Sequence, residues 1–298
     1  MNQLKKIQIS LVLILLASLL PFLLIRTYAD PGTNQDTNSD LKPQMEEILR
    51  INVNDAEKAQ TVDIPVDKAL FKLSFQFESD GKTLKATNVA FKPELIDFYK
   101  KVGYLTKSQN VVVVYPIFTQ AAYGPRGFYD YYKGKCDLSC LTIPIPDQVE
   151  PYYSASEGST IVLSMLNYSF ISDIDIDRDP AILKKYDKVI LLHNEYVTRK
   201  EYHAIVLHPN VVYLYPNALY AQVNVDYNKD TITLVKGHGY PSQDIKNGFH
   251  WKFDNSRFEF DVNCKSWKFY DIRNGKMLNC YPDYKVFTDA NLLDEIRN

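Results

Sequence analysis

Glycine is scarce in this sequence, 11 of 298 residues, or ~4% where ~7% is usual. None of the glycine-dependent signatures G-x-G-x-x-G, G-x-x-x-x-G-K-[ST] or G-x-S-x-G occurs, which argues against standard dinucleotide folds, P-loop NTPases and nucleophile-elbow hydrolases. An excess of positive charge is also missing. With 34 basic and 36 acidic residues the net charge is -2, so no basic field exists to track a phosphate backbone, and nucleic acid is not expected as a partner. Cysteine is limited to Cys136, Cys140, Cys264 and Cys280, with no C-x-x-C pair to support zinc or redox chemistry. Tryptophan occurs twice against 22 tyrosines, while 46% hydrophobic and 23% charged residues place the chain among folded globular proteins.

One long apolar run is present. Lys5 and Lys6 precede residues 7–25, interrupted only by Gln8, Ser10, Ser18 and Pro21. As a helix this run spans about 28 Å, against about 30 Å for a bilayer core. Thr27-x-Ala29 resembles a signal-peptidase site, so residues 1–29 read as a signal peptide or an N-terminal transmembrane anchor. Either way, the remainder is expected outside the cell or at its surface, with the membrane touched only by this segment. Residues 30–44 are too polar to offset the entropy of ordering and read as a flexible linker.

The cysteine usage fits an oxidising compartment. Local pairing is expected, Cys136 with Cys140 and Cys264 with Cys280. The second pair flanks a hairpin whose two-residue turn is expected at Asn274-Gly275. Asn167-Tyr168-Ser169 is the one N-x-[ST] sequon and marks Asn167 as a candidate glycosylation site.

Residues 45–109 read as a β-rich portion with a short helix at 45–49, an alternating strand at 71–77 and a turn at Asp80-Gly81. From residue 110 continuous apolar runs appear, at 111–115, 189–192 (after Lys188) and 211–215, as expected of strands covered on both faces. Between them lie a Tyr-rich loop (117–132), a strand in which Ile alternates with Asp (170–176), an Asp179-Pro180 helix start, and a capping box at Thr198-x-x-Glu201. Residues 110–240 are therefore expected to form a largely parallel α/β core. Residues 241–298 read as an antiparallel β extension closing with a helix at 290–296. The acids Asp173, Asp175, Asp177 and Asp179 are expected on a solvated strand rather than in a calcium loop.

In open α/β sheets, ligands bind beyond the carboxyl ends of the strands. Two segments fall there: residues 117–132 after the first core strand, and His193-Asn194-Glu195 after the second. A flavodoxin-like strand order would make these neighbours and bring Tyr123, Tyr129, His193 and Glu195 together. Phenolate and carboxylate are hard oxygen donors, and a tyrosine ligates as an anion only beside a strong Lewis acid. Fe(III) is therefore favoured over Mg. His238, between two glycines, could reach the same crevice, whereas His203 and His208 are expected at the surface.

The segments YPIFTQAAYGPRGFYDYY, SDIDIDRDP, YDKVILLHNEYVTRKEY and VVYLYPNALYAQV, in this order, resemble the carboxyl-terminal half of the large (β) subunit of N,N-dimethylformamidase and its relatives. The resemblance covers residues 110 to about 240. It departs at Gly124-Pro125-Arg126-Gly127 and at His208-Pro209-Asn210, where the family carries Gly-Gly. It implies a flavodoxin/glutamine-amidotransferase-like sheet with β-rich extensions, a mononuclear iron held by Tyr123, Tyr129 and Glu195, and hydrolysis of an amide C–N bond in a small-molecule substrate. His193 and Glu195 match the H-x-E pair, and Tyr115 is a spare tyrosine candidate. An exported metal-dependent amidohydrolase is thus expected, with a catalytically inactive cell-surface domain on the same fold as the alternative.

Overall fold

The computed structural model describes residues 48–54, 59–65, 67–77, 84–103, 110–146 and 156–298. The expected leader and linker, with the turn at Asp80-Gly81, lie outside these residues. Among the described residues no helix is long and apolar enough to cross a membrane.

The chain is mixed α/β, with four sheets among the described residues. The largest has six strands. Strand β5 (Val111–Tyr115) pairs in parallel with β7 (Ser169–Ser172) on one side and β8 (Lys188–Leu191) on the other. Next to β8 comes β10 (Val211–Tyr213), also parallel, and then β14 (Gly275–Leu278), parallel again. An antiparallel edge strand, β13 (Phe269–Ile272), closes that side. Because β7 and β8 flank β5 from opposite sides, the strand order reverses at the β5/β8 pair.

Alternate residues of these strands feed two cores. Val111, Val113, Ile190 and Val212 face helices α1 (Ile96–Val102), α4 (Glu157–Met165) and α7 (Ala290–Arg297). Val112, Val114, Val189 and Leu191 face α5 (Asp173–Arg178) and α6 (Arg199–Leu207). Burial on both faces explains the uninterrupted apolar runs, each such side chain contributing about 1.5–3 kcal/mol.

A second sheet orders its strands as β6 (Thr142–Pro144), β12 (Thr231–Lys236), β11 (Ala221–Asp226) and β9 (Tyr196–Thr198). Its core includes Phe118, Ala122 and Phe128 from α2 (Ile117–Tyr123) and α3 (Phe128–Tyr132). Strand β9 follows β8 after four residues, so His193, Asn194 and Glu195 form the joint between the two sheets.

The amino-terminal portion contains two antiparallel hairpins: β1 (Ile48–Asn54) with β2 (Ala59–Pro65), and β3 (Phe71–Phe77) with β4 (Leu84–Phe91). Ile48 and Leu49 are strand rather than helix, and α1 follows β4 where no helix was expected. Phe71 stacks on Tyr99 of α1 with ring centroids 5.5 Å apart, and Leu70 N–H donates to the Phe287 carbonyl at 2.7 Å. These contacts dock the segment onto the carboxyl-terminal residues.

Four further expectations need correction. Residues 117–132 are two short helices, not a loop. Residues 173–178 are helix α5, because Ser172 and Asp175 form a reciprocal capping box that overrides the Ile/Asp alternation. Asp173 and Asp177 are consequently buried rather than solvated. The segment 241–298 is not a separate antiparallel extension, since β14 belongs to the parallel sheet. The hairpin turn falls at Arg273-Asn274, with Ile272 opposite Gly275. Gly275 begins β14 at φ 150°, where a Cβ would lie 1.9 Å from the Val211 carbonyl oxygen. Only glycine permits that approach.

Both expected disulfides are present, Cys136–Cys140 and Cys264–Cys280. Asn167 is exposed, in a left-handed conformation after α4.

Candidate functional site

The site is assembled at the carboxyl ends of β5 and β8, where the strand order reverses and open α/β sheets place their crevice. Glu195 lies at its centre and is fully buried. Its backbone is fixed from three directions. Its N–H donates to Thr119 Oγ1 of α2 at 3.0 Å, and the neighbouring Tyr196 N–H donates to the same oxygen at 3.2 Å. Its carbonyl accepts from Tyr220 N–H and Ala221 N–H at 3.0 and 2.9 Å. Helix α2 has no side-chain N-cap of its own. Instead, Asp173 Oδ2 accepts the Phe118 N–H at 2.8 Å, so a buried carboxyl group 55 residues away holds the helix that carries Thr119 and Tyr123.

The Tyr123 hydroxyl donates to Glu195 Oε2 at 2.9 Å. The Tyr129 hydroxyl lies 2.9 Å from that of Tyr123 and 3.2 Å from Glu195 Oε1. Three oxygen donors from α2, α3 and the β8–β9 joint thus form a compact triangle. The Tyr123 and Tyr129 rings pack at 4.3 Å between centroids. Tyr115, the spare candidate, stands outside this triangle, its hydroxyl donating to Gln120 Oε1 at 3.0 Å.

Two histidines flank the carboxylate. His193 is buried with Nε2 3.8 Å from Glu195 Oε2, and neither ring nitrogen has a hydrogen-bond partner among the described residues. Its ring is surrounded by those of Tyr123, Tyr215 and Tyr281. His238 Nε2 contacts Glu195 Oε1 directly. His238 adopts φ 52° between Gly237 and Gly239, and a Cβ on Gly237 would lie 2.7 Å from that of Ala221. The turn therefore packs against β11 while directing the imidazole inward, where Tyr132, Tyr196 and Tyr220 surround it at 5.3, 5.7 and 4.5 Å.

The electrostatics follow from burial. Burial and then the Glu195 charge push both the Tyr123 and Tyr129 hydroxyls well above the usual phenol value. Burial would also raise Glu195, but His238, His193 and the Tyr123 hydroxyl together outweigh it and hold the carboxyl below its ordinary range. His193 is lowered by burial, with Glu195 pulling the other way, which keeps the imidazole neutral. Without a cation the site is thus a carboxylate held by two neutral phenols and an imidazole.

Ligands about 2.05 Å from an octahedral ion lie about 2.9 Å apart along an edge; the Tyr123 hydroxyl has that separation from Glu195 Oε2 and from the Tyr129 hydroxyl, while the Tyr129 hydroxyl is wider, 3.2 and 3.5 Å from the two carboxylate oxygens. Among the described residues no group of three His, Cys, Asp or Glu could hold a metal, so any ion here depends on the phenols.

The structure brings Tyr123, Tyr129, His193 and Glu195 together, as sequence position had suggested. His238 belongs with them, and its flanking glycines were the only signal. Tyr215, Tyr220 and Tyr281 also line the site but carry no local pattern that marks them. His208, expected at the surface, is buried, its ring nitrogens meeting the carbonyls of Asn210 and Tyr186 at 3.1 and 3.0 Å. No protein-family model matches the chain, and no curated protein matches it.

Proposed function

We propose that the protein is an exported, metal-dependent amidohydrolase-like enzyme on a flavodoxin/glutamine-amidotransferase-like fold, related to N,N-dimethylformamidase. The observation that carries this reading is the convergence of the Tyr123 and Tyr129 hydroxyls, 2.9 Å apart, on the Glu195 carboxylate at 2.9–3.5 Å. These three residues would hold the ion. The phenols give up their protons only to a strongly acidic cation, since burial and Glu195 oppose ionisation, and this favours Fe(III). The chemistry such an ion supplies is polarisation of an amide carbonyl and a lowered pKa for water. His238 fixes one oxygen of Glu195, so the carboxylate keeps one orientation. His193, neutral and unpartnered, is placed to accept and return a proton beside the reacting centre. The two disulfides and the apolar run at 7–25 support export to the cell surface or beyond.

A second reading, a non-catalytic binding or structural domain, is favoured by one observation. Glu195 is already fully partnered by Tyr123, Tyr129 and His238 without an ion. Metal analysis of protein purified without chelators separates the two. Near-stoichiometric iron that disappears in Glu195→Ala, with a visible tyrosinate-to-iron band, supports the enzyme; well-folded protein that stays metal-free after reconstitution with ferric ion sinks it.

A further inference from the structure

At the amino end of the parallel sheet, away from the Glu195 site, lies an open cavity of about 580 Å³ between α6, residues 250–253 and the β13–β14 turn. That volume is in the range of small-molecule sites. Tyr202, Trp251 and Phe253 supply aromatic walls, and Leu207, 80% exposed, stands at its rim. An apolar side chain this exposed beside an aromatic trough offers surface for a ligand to cover.

The charge in this cavity has one sign. Lys252 and Arg273 line it, no acidic residue does, and among the described residues neither cation forms a salt bridge. The C-terminus of α6 would normally add negative potential. Here the Asn274 side-chain amide donates to the carbonyls of Ile205 and His208 at 3.1 and 3.2 Å and covers that end. The floor is rigid, since Tyr202 stacks on Phe249 at 4.2 Å and Trp251 packs on Tyr213 at 5.2 Å.

We infer that this cavity binds a small organic carboxylate, its apolar body against Tyr202, Trp251 and Phe253 and its anionic group at Lys252 and Arg273. The inference is independent of any chemistry at Glu195.

Trp251 reports the binding, because the only other tryptophan, Trp267, is held by Asp289 elsewhere. The full chain is titrated with 4-phenylbutyrate and, separately, with the neutral 4-phenylbutanol, following tryptophan fluorescence. Saturable binding of the carboxylate is expected, about fivefold or more tighter than the alcohol at low salt. Arg273→Glu, at an exposed position, should weaken the carboxylate by a similar factor and leave the melting temperature unchanged. Equal affinity for both probes, no saturation with either, or unaltered carboxylate binding by a folded Arg273→Glu protein would overturn the inference.

Discussion

His238 and Glu195 lie 43 residues apart in sequence and meet through Nε2 and Oε1 in the interior. The contact joins the turn after β12 to the joint between the two sheets. If His238 secures the carboxylate, its removal leaves a buried acceptor one donor short. His238→Ala should destabilise the metal-free protein by about 1–3 kcal/mol in urea unfolding. A cycle with Glu195→Gln should show coupling of at least about 1 kcal/mol. Additive effects would mean that the two side chains do not support each other.

Tyr123 and Tyr129 can be tested as ligands without disturbing packing, since Phe keeps the ring of each. Each Tyr→Phe change should lower ferric affinity by more than about 100-fold, beyond the usual effect of groups that only support a ligand. The charge-transfer band should lose intensity in both variants. Unchanged binding in either variant would remove that tyrosine from the proposed set.

A pH effect is expected from carboxyl groups outside the Tyr123–Tyr129–Glu195 set. Glu157, at the start of α4, is raised by burial and by Asp283 to about 8. Between an unfolded value near ~4.3 and that folded value, the native state keeps a proton that the unfolded chain has lost. Stability therefore falls as pH rises through this window. Asp283, raised by burial to about 6, adds to the lower part of the slope. Glu157→Gln should melt at a higher temperature than the wild type at pH 9, the difference closing by pH 5. Parallel melting curves across that range would contradict the assignment.

The two disulfides should contribute unequally. Cys264–Cys280 spans 16 residues and both sulfurs lie in the core, whereas Cys136–Cys140 spans four. Loop-closure entropy gives about 3 kcal/mol for the former and about 2 for the latter. Paired Cys→Ala variants compared in urea should reproduce that order, and a larger loss at Cys136–Cys140 would contradict it.

The parts legible in the sequence were those with a local physical cause. Strands β5, β8 and β10 announce themselves because both faces are buried. The position of Glu195 follows from its place after β8. Helices α2 and α3 were obscured because neither carries a side-chain cap, and the group that holds α2 is Asp173, brought near only by folding. Helix α5 was concealed by two local rules in conflict, alternation against the Ser172–Asp175 box, and the box prevailed. In the last hairpin Asn274-Gly275 gave a strong turn signal, but both residues are committed to other contacts. Asn274 caps α6, and Gly275 lies against Val211.

That use of Gly275 also bears on the order in which the protein can be completed. Among the described residues strand β14 is the last parallel strand in the chain, and it covers β10 on the side away from β8. A nascent chain that has not reached residue 275 carries β10 as an open edge, with ladder groups unpaired. The growing polypeptide cannot close its main sheet until residues 275–278 are available to pair with β10.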